Sequence, residues 1–570
     1  MKAMLQWVRA KLPREFRILY GQFLLRVVDL EALSVEADVP RFLGQFAGLL
    51  ILINVFRTIG FLFFEVGKPG MDRAALMALV WQREQWFLST MMLVTGLIAV
   101  VSWDAIFPDR RDAMILGPLP VRPRTILLAK VAACAAIVGI ALLSFASGMG
   151  IVLPAVTGWR LFPAYWLAMA AACVFVYGAV LALQGLMALA LPRRVFLGVS
   201  AGLQLMAFAW FVASYFLEPA CLDPAWIRVA APHGDLNGWP SYWFFAMEQQ
   251  LAGTLPPELR GIADRAWIGL GVVLVGAAAS LLLCYLKTMK KTVEAPDLVP
   301  GRRGWRWTPR LGGAVETAVV RFTARGLTRS RHHRVVYAFY LSIAFAIAVS
   351  TLKTEMAAGW RLPVTQGYMM PTFAMMCLAV VGLRSVFSLP VTLNANWVLQ
   401  VTQLNPSERY IAGARRALLL LSAGPAWVGA ALLGVGYRPL AHVAEHLVVL
   451  ALVGWILAEL CLIGVSKIPF ACSYLPGKTN IQYLFWAFVV IFFPVAISLA
   501  NEEVRVLAHP AGYGLMVGIL ALIAGGLWAM NRARAREAIL YYEEREPEVI
   551  TKLGIGGWVA REAAPENLGE

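Results

Sequence analysis

The run His442-Val443-Ala444-Glu445-His446 has the residue order of the inverted zinc-hydrolase motif, H-x-x-E-H. On a helix the two histidines, four apart, share a face and the glutamate stands beside them, as a zinc ion and its base require. A third protein ligand must come from elsewhere, and Glu502 or Glu503 falls on the same side of the membrane in the span assignment below. A polar cluster at a helix end explains the same five residues, so zinc hydrolysis stands only as an alternative. The run Cys472-Ser473-Tyr474-Leu475-Pro476-Gly477-Lys478-Thr479 imitates a phosphate-binding loop. It has Cys472 where glycine is needed, an apolar run instead of a strand before it, and Pro476 in place of a backbone N–H. It is rejected as a nucleotide site. No catalytic residue, cofactor or resident metal is expected.

Three other ionisable residues stand out by their surroundings. Arg57, Glu445 and Glu459 interrupt long apolar runs, and a charge there costs ~2.5–3.5 kcal/mol on insertion. By helix rise, Arg57 lies about 10 Å from the outer edge of its run and Glu445 about 7–8 Å from the same edge, so depth pairs these two. Glu459 lies near the inner edge, where it lines a path or bonds between helices. Lys130 and Arg384 are close enough to the inner surface to snorkel.

The elements that position these groups follow from composition. Of 570 residues, 60% are hydrophobic and 15% charged, and the mean hydropathy is +0.68. The apolar residues gather in runs long enough to cross ~30 Å of hydrocarbon, and in that solvent such runs are helices. They lie near 44–64, 86–106, 127–149, 164–190, 196–217, 265–286, 335–352, 367–388, 417–435, 440–465, 482–500 and 512–530. The reading is an all-α polytopic integral membrane protein of about 12 transmembrane helices. The net charge of +16 does not imply nucleic acid. With both termini cytoplasmic, most Lys and Arg fall on inner segments, twelve of them in 287–334, which is the positive-inside bias. The Arg331-His332-His333-Arg334 run reads as an anchor at that surface. The seven scattered cysteines make neither a disulfide framework nor a zinc cluster, and no signal peptide precedes the first span.

The chain is written twice. Residues 1–42 hold an amphipathic helix, with Phe16, Tyr20, Phe23, Leu24 and Val27 at helical spacing, suited to the headgroup layer or to packing on a partner or on the inner loops. Residues 43–286 form a first six-span half, 287–334 a basic cytoplasmic linker with a second amphipathic helix, 335–530 a second six-span half, and 531–570 a cytoplasmic tail. In each half the loop between the second and third spans is polar and proline-bearing. Displaced by 285 residues, Arg124-Thr125-Ile126 falls on Arg409-Tyr410-Ile411 and Lys130 on Arg415. Such repeats commonly build a translocation path. The aromatic outer segment 218–264, with Pro240-Ser241-Tyr242-Trp243-Phe244-Phe245 and Gly253, reads as a short interfacial or re-entrant helix.

This succession resembles the permease subunit of bacterial ABC exporters, the type-2 ABC permease class, in a fused double form. The resemblance rests on Trp103-Asp104 through Leu119-Pro120 to Lys130, on Pro240-Ser241-Tyr242-Trp243-Phe244 with Gly253, on Phe23 to Leu30, and on Ser473-Tyr474-Leu475-Pro476-Gly477-Lys478. It implies a permease in the inner membrane that moves a cargo with a separate cytoplasmic ABC ATPase. It also implies contact of that ATPase with the amphipathic helix and with Asp109, Arg110, Arg111, Asp112, Arg122 and Arg124, and more weakly with Glu408 and Arg409. Whether one fused chain forms the path or two pair as a homodimer stays open. A twelve-span secondary transporter is the main rival; Asp109-Arg110-Arg111 resembles the major facilitator loop, whose flanking glycines are replaced by Ala105 and Asp112. A non-transporting scaffold is the other.

Overall fold

The structure is a computed structural model describing residues 13–28, 39–66, 72–103, 106–107, 116, 119–191, 193–218, 227, 230, 233–294, 310–356, 362–390, 396, 407–464, 468–471, 481–507, 509–537 and 540. These residues form an all-α polytopic membrane protein. After a leading helix α1 (Arg14–Val28) come α2 (Val39–Gly60, continued by a π-helical turn Phe61–Val66), α3 (Arg73–Val101), α4 (Pro123–Thr157), α5 (Leu161–Ala190) and α6 (Arg193–Leu217). A short α7 (Pro240–Ala252) and a long α8 (Arg260–Glu294) close the first half. The second half has its own leading helix α9 (Ala314–Arg329). It continues with α10 (Arg331–Met356), α11 (Gln366–Val386), α12 (Ser407–Leu418) running through a π-helical turn into α13 (Gly424–Gly434), α14 (Leu440–Cys461), α15 (Ile481–Val506) and α16 (Pro510–Glu537).

A helix falls on each of the twelve apolar runs. Eight segments are long and apolar enough to cross a membrane, and α2, α6 and α10 contain shorter apolar stretches at Ala47–Phe63, Gly202–Leu217 and Val336–Ser350. The ends are set by local chemistry. Asp72 caps α3, its Oδ1 accepting from the Ala75 N–H at 2.7 Å, so α3 starts well before the expected position 86. Pro123 sits at the first position of α4, where a missing N–H costs nothing. Gly253 takes a φ of 78° just past α7, a conformation that favours glycine.

Successive helices run in opposite directions, so the polar segments gather at two ends. We call the end bearing α1 and α9 the base and the other the far end. The first half packs its core from α3, α4, α5, α7 and α8, including Phe87, Phe145, Tyr165 and Phe245. The second packs α11, α13, α14 and α15 around Tyr368, Phe373 and Val449, with a two-residue parallel pairing of Leu362–Pro363 and Tyr437–Arg438 at the far end. The halves meet where α6 packs on α10: Phe208 meets Phe339 edge-on at 6.3 Å, and Ala346 joins Val100, Phe208 and Val212 in one cluster. Large apolar side chains on the outside, such as Leu515 and Leu522 of α16, remain exposed, as a lipid-facing surface requires.

Without a hydrophobic drive between helices in lipid, close backbone approach supplies the packing. Gly178 and Gly185 of α5 lie one heptad apart and face Val273 and Ser280 of α8, also one heptad apart. A Cβ added at these glycines would stand 2.6 Å from Val273 Cγ1 and 2.5 Å from Ser280 Cβ, so neither site admits a side chain without parting the helices. Gly185→Leu is expected to lower stability by ~1–3 kcal/mol, read as a fall in the thermal midpoint in detergent. Gly139→Leu, whose added Cβ meets open space, should leave the midpoint unchanged.

Candidate functional site

At the base, each half clamps its leading helix onto its third span. Leu19 and Phe23 of α1 bury against Ile126, Ala129 and Ala133 of α4, with Phe16, Tyr20 and Leu24 packed around them. The amphipathic face expected in the headgroup layer or on a partner is thus used on the chain's own third span. Beside it Lys130 is 2% exposed, its ammonium 5.2 Å from the centre of the Phe23 ring, and it donates to the Phe107 carbonyl at 3.1 Å. The expectation that Lys130 snorkels is corrected. The cation is buried as a pin that joins leading helix, loop and third span, a geometry that rewards a desolvated ammonium over an aromatic face.

The second half repeats this with different residues. Val319 of α9 approaches Gly413 of α12 so closely that a Cβ there would meet it at 2.9 Å. Arg416 donates to the Leu311 carbonyl at 2.6 Å and pairs with Glu316. Arg415, which the 285-residue displacement sets on Lys130, turns inward: its Nε lies 2.5 Å from Oε1 of the fully buried Glu459, whose Oε2 accepts from Asn531 of α16 at 2.8 Å. Glu459 is therefore a strut among α12, α14 and α16, as the reading of a carboxylate bonded between helices expects. Arg384 does not snorkel either; its Nε donates to the Cys461 carbonyl at 2.9 Å.

Of the residues assigned to a coupling surface, Arg122 and Arg124 stand exposed at the start of α4, and Arg409 is exposed on α12. Glu408 is engaged by Arg532 at 2.8 Å and Arg536 at 3.5 Å. Asp109, Arg110, Arg111 and Asp112 lie outside the described residues, as does the 472–479 run. In the Arg331–Arg334 run, His333 is not a surface anchor but buried. One ring nitrogen meets the Leu389 carbonyl at 2.9 Å, and burial pushes the imidazole below its ordinary pKa.

The proposed pairing of Arg57 with Glu445 is not what the helices arrange. Arg57 lies over the Trp86 ring of α3 at 4.3 Å, whereas Glu445 belongs to the second half, and among the described residues no ion pair joins them. Equal depth did not make them neighbours.

The H-x-x-E-H run also resolves differently. His446 is fully buried, one nitrogen facing Thr372 Oγ1 at 2.7 Å and Nδ1 facing Glu503 Oε1 at 2.9 Å. Both ring nitrogens are spent on α11 and α15, and His442 lies one turn nearer the helix start. Among the described residues no group of three His, Cys, Asp or Glu is placed to hold a metal ion.

Two features escaped the sequence. One is that Thr372–His446–Glu503 chain, all three fully buried. The other is a carboxyl cluster at the far end of the first half. Glu84 of α3 and Glu248 of α7 are both buried; Gln249 donates to Glu84 Oε2 at 2.7 Å, and Thr254 fixes Gln249 by donating to its Oε1 at 2.7 Å. Glu218 lies nearby, accepting from Gln85 at 2.5 Å and from Ser89 and Ser241. The Asp72 cap was the available signal that residues 73–85 belong to the helix.

No family model, curated protein or solved structure matches this chain. The base strut makes a direct prediction. Glu459→Leu leaves Arg415 as an unpaired, nearly buried cation and is expected to cost ~3–5 kcal/mol, whereas Glu459→Leu with Arg415→Met should recover most of that loss. Thermal unfolding of the three proteins in detergent measures both.

Proposed function

We propose that the chain is the membrane-spanning permease subunit of an ATP-driven exporter, with its base facing the cytoplasm of the cell whose inner membrane it occupies and a separate ATPase docked there. The observation that supports the reading is the duplicated clamp. An amphipathic helix packs on the third span of each half, over Lys130 through the Phe23 ring in one and through Arg416, which reaches Glu316 and the Leu311 carbonyl, in the other. A lever of this kind passes a push at the base to the spans as a rigid displacement instead of absorbing it, and close-packed elements transmit strain in that way. Exposed Arg122, Arg124 and Arg409 are the groups available to meet an acidic cleft on the ATPase. The cargo crosses between the two six-span halves; no bond is made or broken in this chain.

A second reading, transport driven by an ion gradient through the same spans, is favoured by the buried Glu84 and Glu248, because intramembrane carboxyls commonly carry protons. The two are separated by purifying the full-length chain from its native membrane and measuring ATP hydrolysis. The exporter reading expects a co-purifying ATPase whose activity falls at least tenfold when Arg122→Glu and Arg124→Glu are combined, with the thermal midpoint of the chain unchanged. Absence of any bound ATPase, with transport abolished by a proton ionophore and not by ATP depletion, would establish the gradient-driven reading instead.

A further inference from the structure

Three carboxyls gather at the far end of the first half, and their surroundings differ in kind. Glu218 receives hydrogen bonds from Gln85, Ser89 and Ser241, a set of donors suited to an ionised carboxylate. Glu84 receives one, from Gln249, and its Oε1 is buried with no hydrogen-bond partner. Glu248 receives none: both of its oxygens are buried without a partner, and the residue is 0% exposed. The Tyr165 hydroxyl, also buried and without a hydrogen-bond partner, lies within electrostatic reach of both Glu84 and Glu248. The walls are apolar, with Trp81 of α3 meeting Phe245 of α7 edge-on at 5.3 Å.

Two adjacent carboxylates cannot both stay ionised in such a place, since burial and mutual repulsion act in the same direction. Among the described residues no ion pair to Glu84 or Glu248 is formed. On α8 the charged residues near α7, Arg260, Asp264 and Arg265, are turned to the exposed side, while α5 contributes only Tyr165. On α3, Arg83 adjoins Glu84 in sequence and is half-buried. We propose that Glu84 and Glu248 form a closed proton-binding site, with Glu248 the group that holds the proton and the seating of α7 on α3 dependent on it. Burial and the Glu84 carboxyl beside it both disfavour an ionised Glu248. The sign follows: the seated form keeps a proton that an unseated Glu248 would release at neutral pH, so seating weakens as the pH rises.

The test is infrared spectroscopy of the full-length protein across pH, following the carbonyl band of neutral carboxylic acids. The expected result is an acid band at pH 7, lost only at alkaline pH and reduced in Glu248→Gln, with Glu84→Gln shifting its titration downward because one repelling charge is gone. The Gln variants keep shape and neutrality, so both should fold. A wild-type protein without an acid band at pH 7, a band unchanged in Glu248→Gln, or a band that appears only after chelation of a bound metal ion would overturn the proposal.

Discussion

Hydrocarbon offers a polar group no hydrogen bond and a charge no hydration, so such groups inside the bundle must find partners within the chain or stay neutral. The backbone solves this by helix formation, which is why the twelve apolar runs become twelve helices. The side chains solve it case by case. Lys130 meets a carbonyl and an aromatic face, Arg415 meets Glu459 and, through it, Asn531, and His446 meets Thr372 and Glu503. Each solution joins elements distant in sequence, so the buried polar groups fix how the helices are arranged around the core.

The two halves show one plan carried out with different chemistry. Each third span holds a cation near its base, which the first half satisfies with the Phe107 carbonyl and the second with a carboxylate. The far ends diverge further. The first half inserts α7 and buries carboxyls beneath it, whereas the second has no such helix among its described residues and joins α11, α14 and α15 through the Thr372–His446–Glu503 chain. The halves are thus alike where a push would enter at the base and unlike where they face the opposite side.

Much of the architecture was legible in the sequence because hydropathy and length respond to the same constraint that forms the spans. The helices on the apolar runs, the leading helices of both halves and the short aromatic helix could all be read. The start of α3 could not be read from hydropathy, since Arg83, Glu84 and Gln85 lower it. Those polar residues belong inside the helix because α7 covers them, a fact of tertiary packing. The pairing of Arg57 with Glu445 failed because depth along a helix carries no information on which helix stands next to it. The H-x-x-E-H run shows a related limit. Local spacing placed two histidines on one face, but partners 74 and 57 residues away took both nitrogens of His446.

The account rests on the base and the far end lying on opposite sides of a bilayer, with both leading helices at the base. In a chain whose seven cysteines are replaced, single cysteines at Arg124, Arg409, Gly158 and Gly253 can be labelled with a membrane-impermeant thiol reagent in sealed vesicles of known orientation. The account predicts that positions 124 and 409 react from one side and positions 158 and 253 from the other. Labelling of 124 and 409 from opposite sides would contradict the two-half arrangement and remove the basis for a shared docking surface.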